Sequence, residues 1–227
     1  MKTITKAQAQ GLVEAKRVGL RGFSLTELMI VMVILVLLMG TAAPTLMKSD
    51  QRARQSAREL VKGHLQRARS HAIAQGVATA VVIPDYAAGD DQGGKMLGIA
   101  EVEWAPDAQQ TAGSYQVSRV LQRWEALPGK MMVFSQPVGQ HSRATVMEQA
   151  FRSPVMLSGR SVVGALIVFS PTGQIVSPSQ GTLEILLGQG RVSGGQLVAT
   201  EKSGQQVSCD LLQINRLTGR ARQLDAL

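Results

Sequence analysis

A chain of 227 residues, 44% of them apolar, can bury one sizeable core, which excludes wholesale disorder. Its single cysteine, Cys209, excludes an internal disulfide framework and any multi-cysteine metal site, and three histidines (His64, His71, His141) leave little for a histidine-rich one. The formal charge of +8 is unevenly placed: residues 1–22 carry net +4, residues 48–71 net +5, and residues 72–227 twelve charges of each sign. A neutral body behind two basic stretches is not a uniformly basic nucleic-acid-binding surface.

Between Arg21 and Lys48 the only charged residue is Glu27, and Leu28–Met39 contains nothing but Leu, Ile, Val and Met. As a helix, Phe23–Ala43 would run about 31 Å, close to the thickness of a bilayer's hydrocarbon core. A helix satisfies every backbone group of such a segment internally. The leader cations place residues 1–22 in the cytoplasm and the rest of the chain beyond the inner membrane. Thr41-Ala42-Ala43 has the small residues of a secretory cleavage site. Cleavage there would open the mature chain on Pro44, and the apolar run is long for a signal. Neither a signal nor a plain anchor accounts for Glu27. A carboxylate at the centre of a membrane helix costs about 2.5–3.5 kcal/mol, less near an end, and is functional by default. It needs a cation to meet.

The run Arg21-Gly22-Phe23-Ser24-Leu25-Thr26-Glu27-Leu28-Met29-Ile30-Val31 resembles the cleavage and methylation signature of type IV prepilins and type II secretion pseudopilins. A basic residue precedes the glycine, a phenylalanine follows it, and a glutamate stands five residues into the mature chain. Pro44 falls where many pilins carry a helix-bending proline. The resemblance implies cleavage between Gly22 and Phe23 by a prepilin peptidase, then N-methylation of Phe23. It also gives Glu27 its cation, the new Phe23 amine of a neighbouring subunit. In low dielectric such a pair is worth far more than at a surface, provided both partners are desolvated together. Each charge is costly unpaired, so the pair enforces register. Glu27 is read as a filament-assembly residue.

From Lys48 the spacing of Ala53, Ala57, Leu60/Val61, Leu65, Ala68 and Ala72 predicts an amphipathic helix that Gly76 ends. Together with the apolar run this makes one helix of about fifty residues, softened at Gly40 and Pro44. An Asp50–Arg54 pair adds about 0.2–0.5 kcal/mol. Arg52, Arg54, Arg58, Lys62, Arg67 and Arg69 read as a solvated face near anionic phospholipid heads rather than a nucleic-acid patch. Strands are predicted at Val77–Ile83, Lys95–Trp104, Ser114–Trp124, Lys130–Ser135, Ser161–Phe169, Thr182–Leu187, Val207–Asn215 and Ala221–Leu224. The Gly-, Ser- and Gln-rich stretch Gly188–Gly204 reads as a mobile loop. The expected fold is α+β and pilin-like: a long N-terminal transmembrane and amphipathic helix on an antiparallel two-sheet body. Its expected divisions are a cytoplasmic leader (1–22), a transmembrane half-helix (23–47), an amphipathic half-helix (48–76) and a periplasmic β-rich domain (77–227).

Three further segments resemble the GspH/FimT branch of these pseudopilins. They are Leu65–Gly76 at the helix end, the Phe169-Ser170-Pro171-Thr172-Gly173 turn, and Leu212–Arg220 with its Gly-Arg ending. Tyr86–Gly159 shows no family pattern. The Gly89–Lys95 stretch has the glycines and lysine of a phosphate-binding loop, but Met96 stands where Ser or Thr must hold magnesium, so it reads as a turn. Asp90 and Asp91 lack the spaced oxygens of a calcium loop. His64 and His71 read as solvent or packing residues, and Cys209 as a small buried one. No G-x-S-x-G, H-E-x-x-H or cysteine–histidine pairing supports catalysis, so an enzyme is not expected, nor any cofactor or metal.

The resemblance therefore implies an H-type minor pseudopilin, a structural subunit at or near the tip of a type II secretion pseudopilus. Its partners would be the prepilin peptidase/methylase, the other pseudopilins, the inner membrane and exported proteins. The alternative is a FimT-like minor type IV pilin that binds DNA for uptake. Some such pilins use a G-R-x-R tail, which carries over to Arg220 and Arg222. In a strand these two point to one face, about 6.6–7 Å apart, near the phosphate spacing of a nucleic-acid strand. A solvated edge strand would carry the same arginines.

Overall fold

The computed structural model describes residues 24–85, 92–106, 113–135, 145–179, 183–193, 196–199 and 209–224. The chain divides into two compact units, Met1–Leu46 and Met47–Leu227. The expected long helix is α1, Leu25–Gln75, 51 residues. In the first unit α1 carries twelve apolar side chains between Leu25 and Leu38 that are 47–79% exposed. Among the described residues no helix is long and apolar enough to cross a membrane; the side chains of residues 39–49 lie outside them.

In the second unit the rest of α1 buries one stripe: Ala57, Val61, Leu65, Ala68 and Ala72 are at most 1% exposed. These are the positions that the three-and-four spacing picks out. Three of the five are alanines, which lets the strands approach the helix backbone closely. The helix stops because Gly76 takes φ +67°, a left-handed cap that glycine adopts without steric cost.

After α1 come β1 (Thr79–Pro84), β2 (Met96–Pro106), β3 (Gly113–Val120), β4 (Glu125–Ala126), β5 (Met131–Phe134), the short helix α2 (Val146–Gln149) and β6 (Phe151–Leu157). Then follow β7 (Arg160–Phe169), β8 (Ile175–Ser177), β9 (Glu184–Ser193), β10 (Gln196–Ala199), β11 (Cys209–Ile214) and β12 (Ala221–Leu224). A seven-stranded sheet runs β3-β2-β1-β7-β6, with β4 on β2 and β8 on β7. A five-stranded sheet runs β10-β9-β11-β12, with β5 on β9. All pairings are antiparallel. This is the α+β architecture expected, a helix followed by a two-sheet antiparallel body.

Alternation divides β1 between two cores. Val81 and Ile83 join the helix stripe, Ile167, Leu187 and Leu212, whereas Ala80 and Val82 join Val102, Val155 and Leu166. The larger sheet curls over the second cluster, and its two edges meet where the Val117 N–H donates to Ser153 Oγ at 3.1 Å. Trp124 Nε1 donates across to the Met156 carbonyl at 3.0 Å. A third cluster, with Met132, Phe134, Leu186, Cys209 and Leu211, covers the far side of the smaller sheet.

Four expectations need correction. Gly188–Gly204 is not one loop: β9 runs on through Ser193 and pairs with β10 at Leu197↔Val192 and Val198↔Arg191. The glycine at 188 is what leaves room for the Phe134 ring, which a Cβ there would strike. Residues 200–204 lie outside the described ones. A strand unread in the sequence, β6, lies at Phe151–Leu157, where Pro154 interrupts the pattern yet is tolerated on an edge. Ser114–Trp124 ends early at Val120, and Trp124 turns back so that its ring covers Gly98. The basic face of α1 is not wholly solvated: Arg58 pairs with Asp210 at 3.9 Å and donates to Gln223 Oε1, while Arg69 Nε donates to the Gly173 carbonyl at 3.1 Å.

Burial pushes the Cys209 thiol up to about 11, with Arg54 lowering it and Asp210 raising it further. At about pH 8 the native thiol should therefore alkylate on the order of 100-fold more slowly than in the unfolded chain. Iodoacetamide labelling with and without denaturant measures this, and equal rates would contradict it.

Candidate functional site

The N-terminal candidate sits at the start of α1. The Glu27 N–H donates to Ser24 Oγ at 3.1 Å, and the Ser24 N–H donates to Glu27 Oε2 at 3.2 Å. This is a reciprocal capping box, the Ser-x-x-Glu pattern, which satisfies two of the helix's orphan donors. Sequence reasoning took Glu27 for assembly alone, although Ser24-Leu25-Thr26-Glu27 carries the capping signal in plain view. The carboxylate is also well placed against the positive end of the helix dipole. Gly22 and Phe23, the expected cleavage and methylation positions, lie outside the described residues.

The second candidate is the β11–β12 hairpin, paired at Gln213↔Arg222 and Ile214↔Ala221. Its turn, Asn215–Arg220, is held from within. The Asn215 N–H donates to the Arg220 carbonyl at 2.9 Å, and the Gly219 N–H donates to the Asn215 carbonyl at 2.7 Å. Asn215 Oδ1 accepts from the Leu217 and Thr218 N–H groups at 3.0 and 2.9 Å. Asparagine is suited to this because its side chain stands in for a backbone acceptor. Gly219, at φ +62°, sits against Arg69 and Phe169, and a Cβ there would lie 2.8 Å from Arg69 Cδ and from Phe169 Cε1. Arg69 also holds Gly173. The two glycine turns singled out in the sequence thus meet on one arginine of α1.

Arg220 and Arg222 are both exposed, with Arg220 one residue ahead of β12. They line one cleft of about 630 Å³ together with Arg216, Gln213, Leu183 and Ile214, and no carboxylate lines it among the described residues. Arg216 is anchored: its Nη1 donates to the Pro178 carbonyl, and its own carbonyl accepts from the Ile175 N–H at 2.9 Å. Sequence reasoning missed Arg216 as a member of this group, since only the fold brings its side chain to the same cleft.

The two histidines of α1 are packing residues. His64 is buried, donates from Nδ1 to the Leu60 carbonyl at 3.0 Å, and has Nε2 3.6 Å from Glu125 Oε2. His71 Nδ1 lies 3.2 Å from Thr79 Oγ1. Residues 92–95 form the turn expected before β2; Gly89, Asp90 and Asp91 lie outside the described residues, as does His141.

Residues 20–43 match the prokaryotic N-terminal methylation motif. The N-terminal segment thus carries a prepilin-type methylation motif. A similar solved structure is that of the type IV minor pilin FimU of Pseudomonas aeruginosa (strain PAO1), at 18% identity over 78% of this chain and 91% of that one, with a TM-score of 0.39. No curated protein matches the sequence. The matched segment includes Gly22, Phe23 and Glu27 and leaves the arginine cleft, far downstream in the sequence, to be interpreted from its own geometry.

Proposed function

We propose that this chain is a processed, membrane-anchored minor subunit of a type IV pilin-like filament, most specifically an H-type pseudopilin of a type II secretion pseudopilus. The observation that carries it is the first unit of α1: twelve exposed apolar side chains behind a single acid at Glu27. Water does not tolerate such a surface. Lipid covers it before assembly and neighbouring helices cover it afterwards. Its leader lies in the cytoplasm, its body in the periplasm, and its role is mechanical rather than catalytic. Prepilin peptidase/methylase and other pilin-type subunits are its partners. Intact-mass and N-terminal analysis of membrane-extracted protein should find a chain beginning with N-methylated Phe23. A mature start at Pro44, or an unprocessed Met1, would sink the reading.

A second reading, DNA binding for uptake, draws on the cleft that Arg216, Arg220 and Arg222 share without a carboxylate among its described lining. Residues 48–227 should then retard duplex DNA without sequence preference. Affinity should fall with salt at a log–log slope of roughly −0.9 per phosphate neutralised, and Arg220→Ala/Arg222→Ala should flatten the slope by about two contacts. For a secretion pseudopilin the same double change leaves the weak generic DNA binding unaltered. Salt-steep binding that disappears with these two residues would favour DNA uptake.

A further inference from the structure

We propose that the turn Asn215–Arg220 is a preformed docking knob for a protein surface that offers an apolar pocket rimmed by carboxylates. In the filament that surface belongs to a neighbouring pilin-type subunit, so the partner's identity rests on the filament reading while the surface itself does not. Leu217, at the tip, is 67% exposed, among the most exposed large apolar side chains of the second unit. It is not a frayed residue. Asn215 Oδ1 accepts from its N–H and from that of Thr218, and the Ile175 N–H ties the adjoining Arg216 carbonyl to the body. A leucine presented on a turn that already has its bound shape docks with little ordering cost.

The surroundings say what kind of partner fits. Arg216, Arg220 and Arg222 line the cleft beside the turn, and its other walls include apolar Leu183 and Ile214. Guanidinium groups match carboxylates bidentately, so a partner with acids around an apolar recess engages Leu217, Arg220 and Arg222 together. A phosphate backbone would engage the arginines and leave Leu217 in water. The mixture of one projecting leucine, an apolar cleft wall and flanking arginines favours protein over nucleic acid.

The experiment uses the full-length chain in its own cells, with a photo-cross-linking amino acid in place of Leu217. The expected product is an adduct with a subunit whose mature N-terminus is N-methylated. Arg220→Glu/Arg222→Glu should reduce it by about tenfold, and reversing an acid in the cross-linked segment of the partner should restore it. Leu217→Asp should lower recovery in sheared filaments by a similar factor while Leu217→Met keeps it. Leu217 is exposed, so the thermal midpoints of both variants should match wild type. An adduct with one identified protein lacking that N-terminus, with the same charge-reversal rescue, would keep the knob and overturn the filament reading. Adducts confined to nucleic acid, no adduct from normally abundant chain, or charge-insensitive adducts would overturn the knob.

Discussion

Glu27→Ala is expected to leave the chain inserted and cleaved yet nearly absent from filaments. Alanine removes the cost of carrying a carboxylate at the membrane edge, so retention in the bilayer improves or stays level. On the proposed filament reading the same change deletes the partner of a neighbour's Phe23 amine. Removing one member of a buried pair costs about 3–5 kcal/mol, which corresponds to a fall in incorporation on the order of 100-fold or more. The capping box complicates this, because alanine also loses the bond that the Ser24 N–H makes to Glu27 Oε2. Glu27→Gln separates the two effects. Glutamine keeps the reciprocal cap and lacks the charge. If pairing with the amine governs assembly, the Gln and Ala variants fail alike when sheared filaments are compared with membrane pools. A Gln variant that assembles normally would mean that Glu27 acts by ordering the helix start, and the charge-pair reading would be lost.

The long helix was legible because both of its halves carry strong local signals, an unbroken apolar run and then a three-and-four stripe. Ala57, Val61, Leu65, Ala68 and Ala72 are buried as that stripe demands. The strands were legible where β-branched runs end at glycine or proline, and lost where tertiary packing overrode composition. Pro154 hid β6, which can hold a proline because it lies at the edge of its sheet. Gly188 made β9 look like loop, yet its missing side chain is what admits the Phe134 ring. Local spacing also divided the candidate sites. The Ser24–Glu27 box is three residues wide and readable in the sequence. The cleft needs Arg216, Arg220 and Arg222 brought beside Leu183 by pairing between β9, β11 and β12, which no local pattern encodes.

Gly219→Ala is expected to cost the second unit heavily, and Gly76→Ala isolates the reason. Both glycines are left-handed, at φ +62° and +67°. A side chain in that region costs about 1–2 kcal/mol from backbone sterics alone. At Gly76 nothing lies within 4 Å of an added Cβ, so the backbone cost is all that alanine adds. At Gly219 the Cβ would stand 2.8 Å from both Arg69 Cδ and Phe169 Cε1. Phe169 is fully buried and cannot swing away, and Arg69 is held by the Gly173 carbonyl. Overpacking of this kind adds about 1–3 kcal/mol, for roughly 2–5 kcal/mol in all. For a body of this size each kcal/mol is worth about 2–4 °C, so Gly219→Ala should melt about 4 °C or more below wild type and below Gly76→Ala. Thermal denaturation of residues 48–227 carrying each change gives the comparison. Equal losses at the two sites would mean that the turn is not wedged against Arg69 and Phe169, leaving its internal Asn215 bonds and the Ile175 bond to Arg216 to hold it.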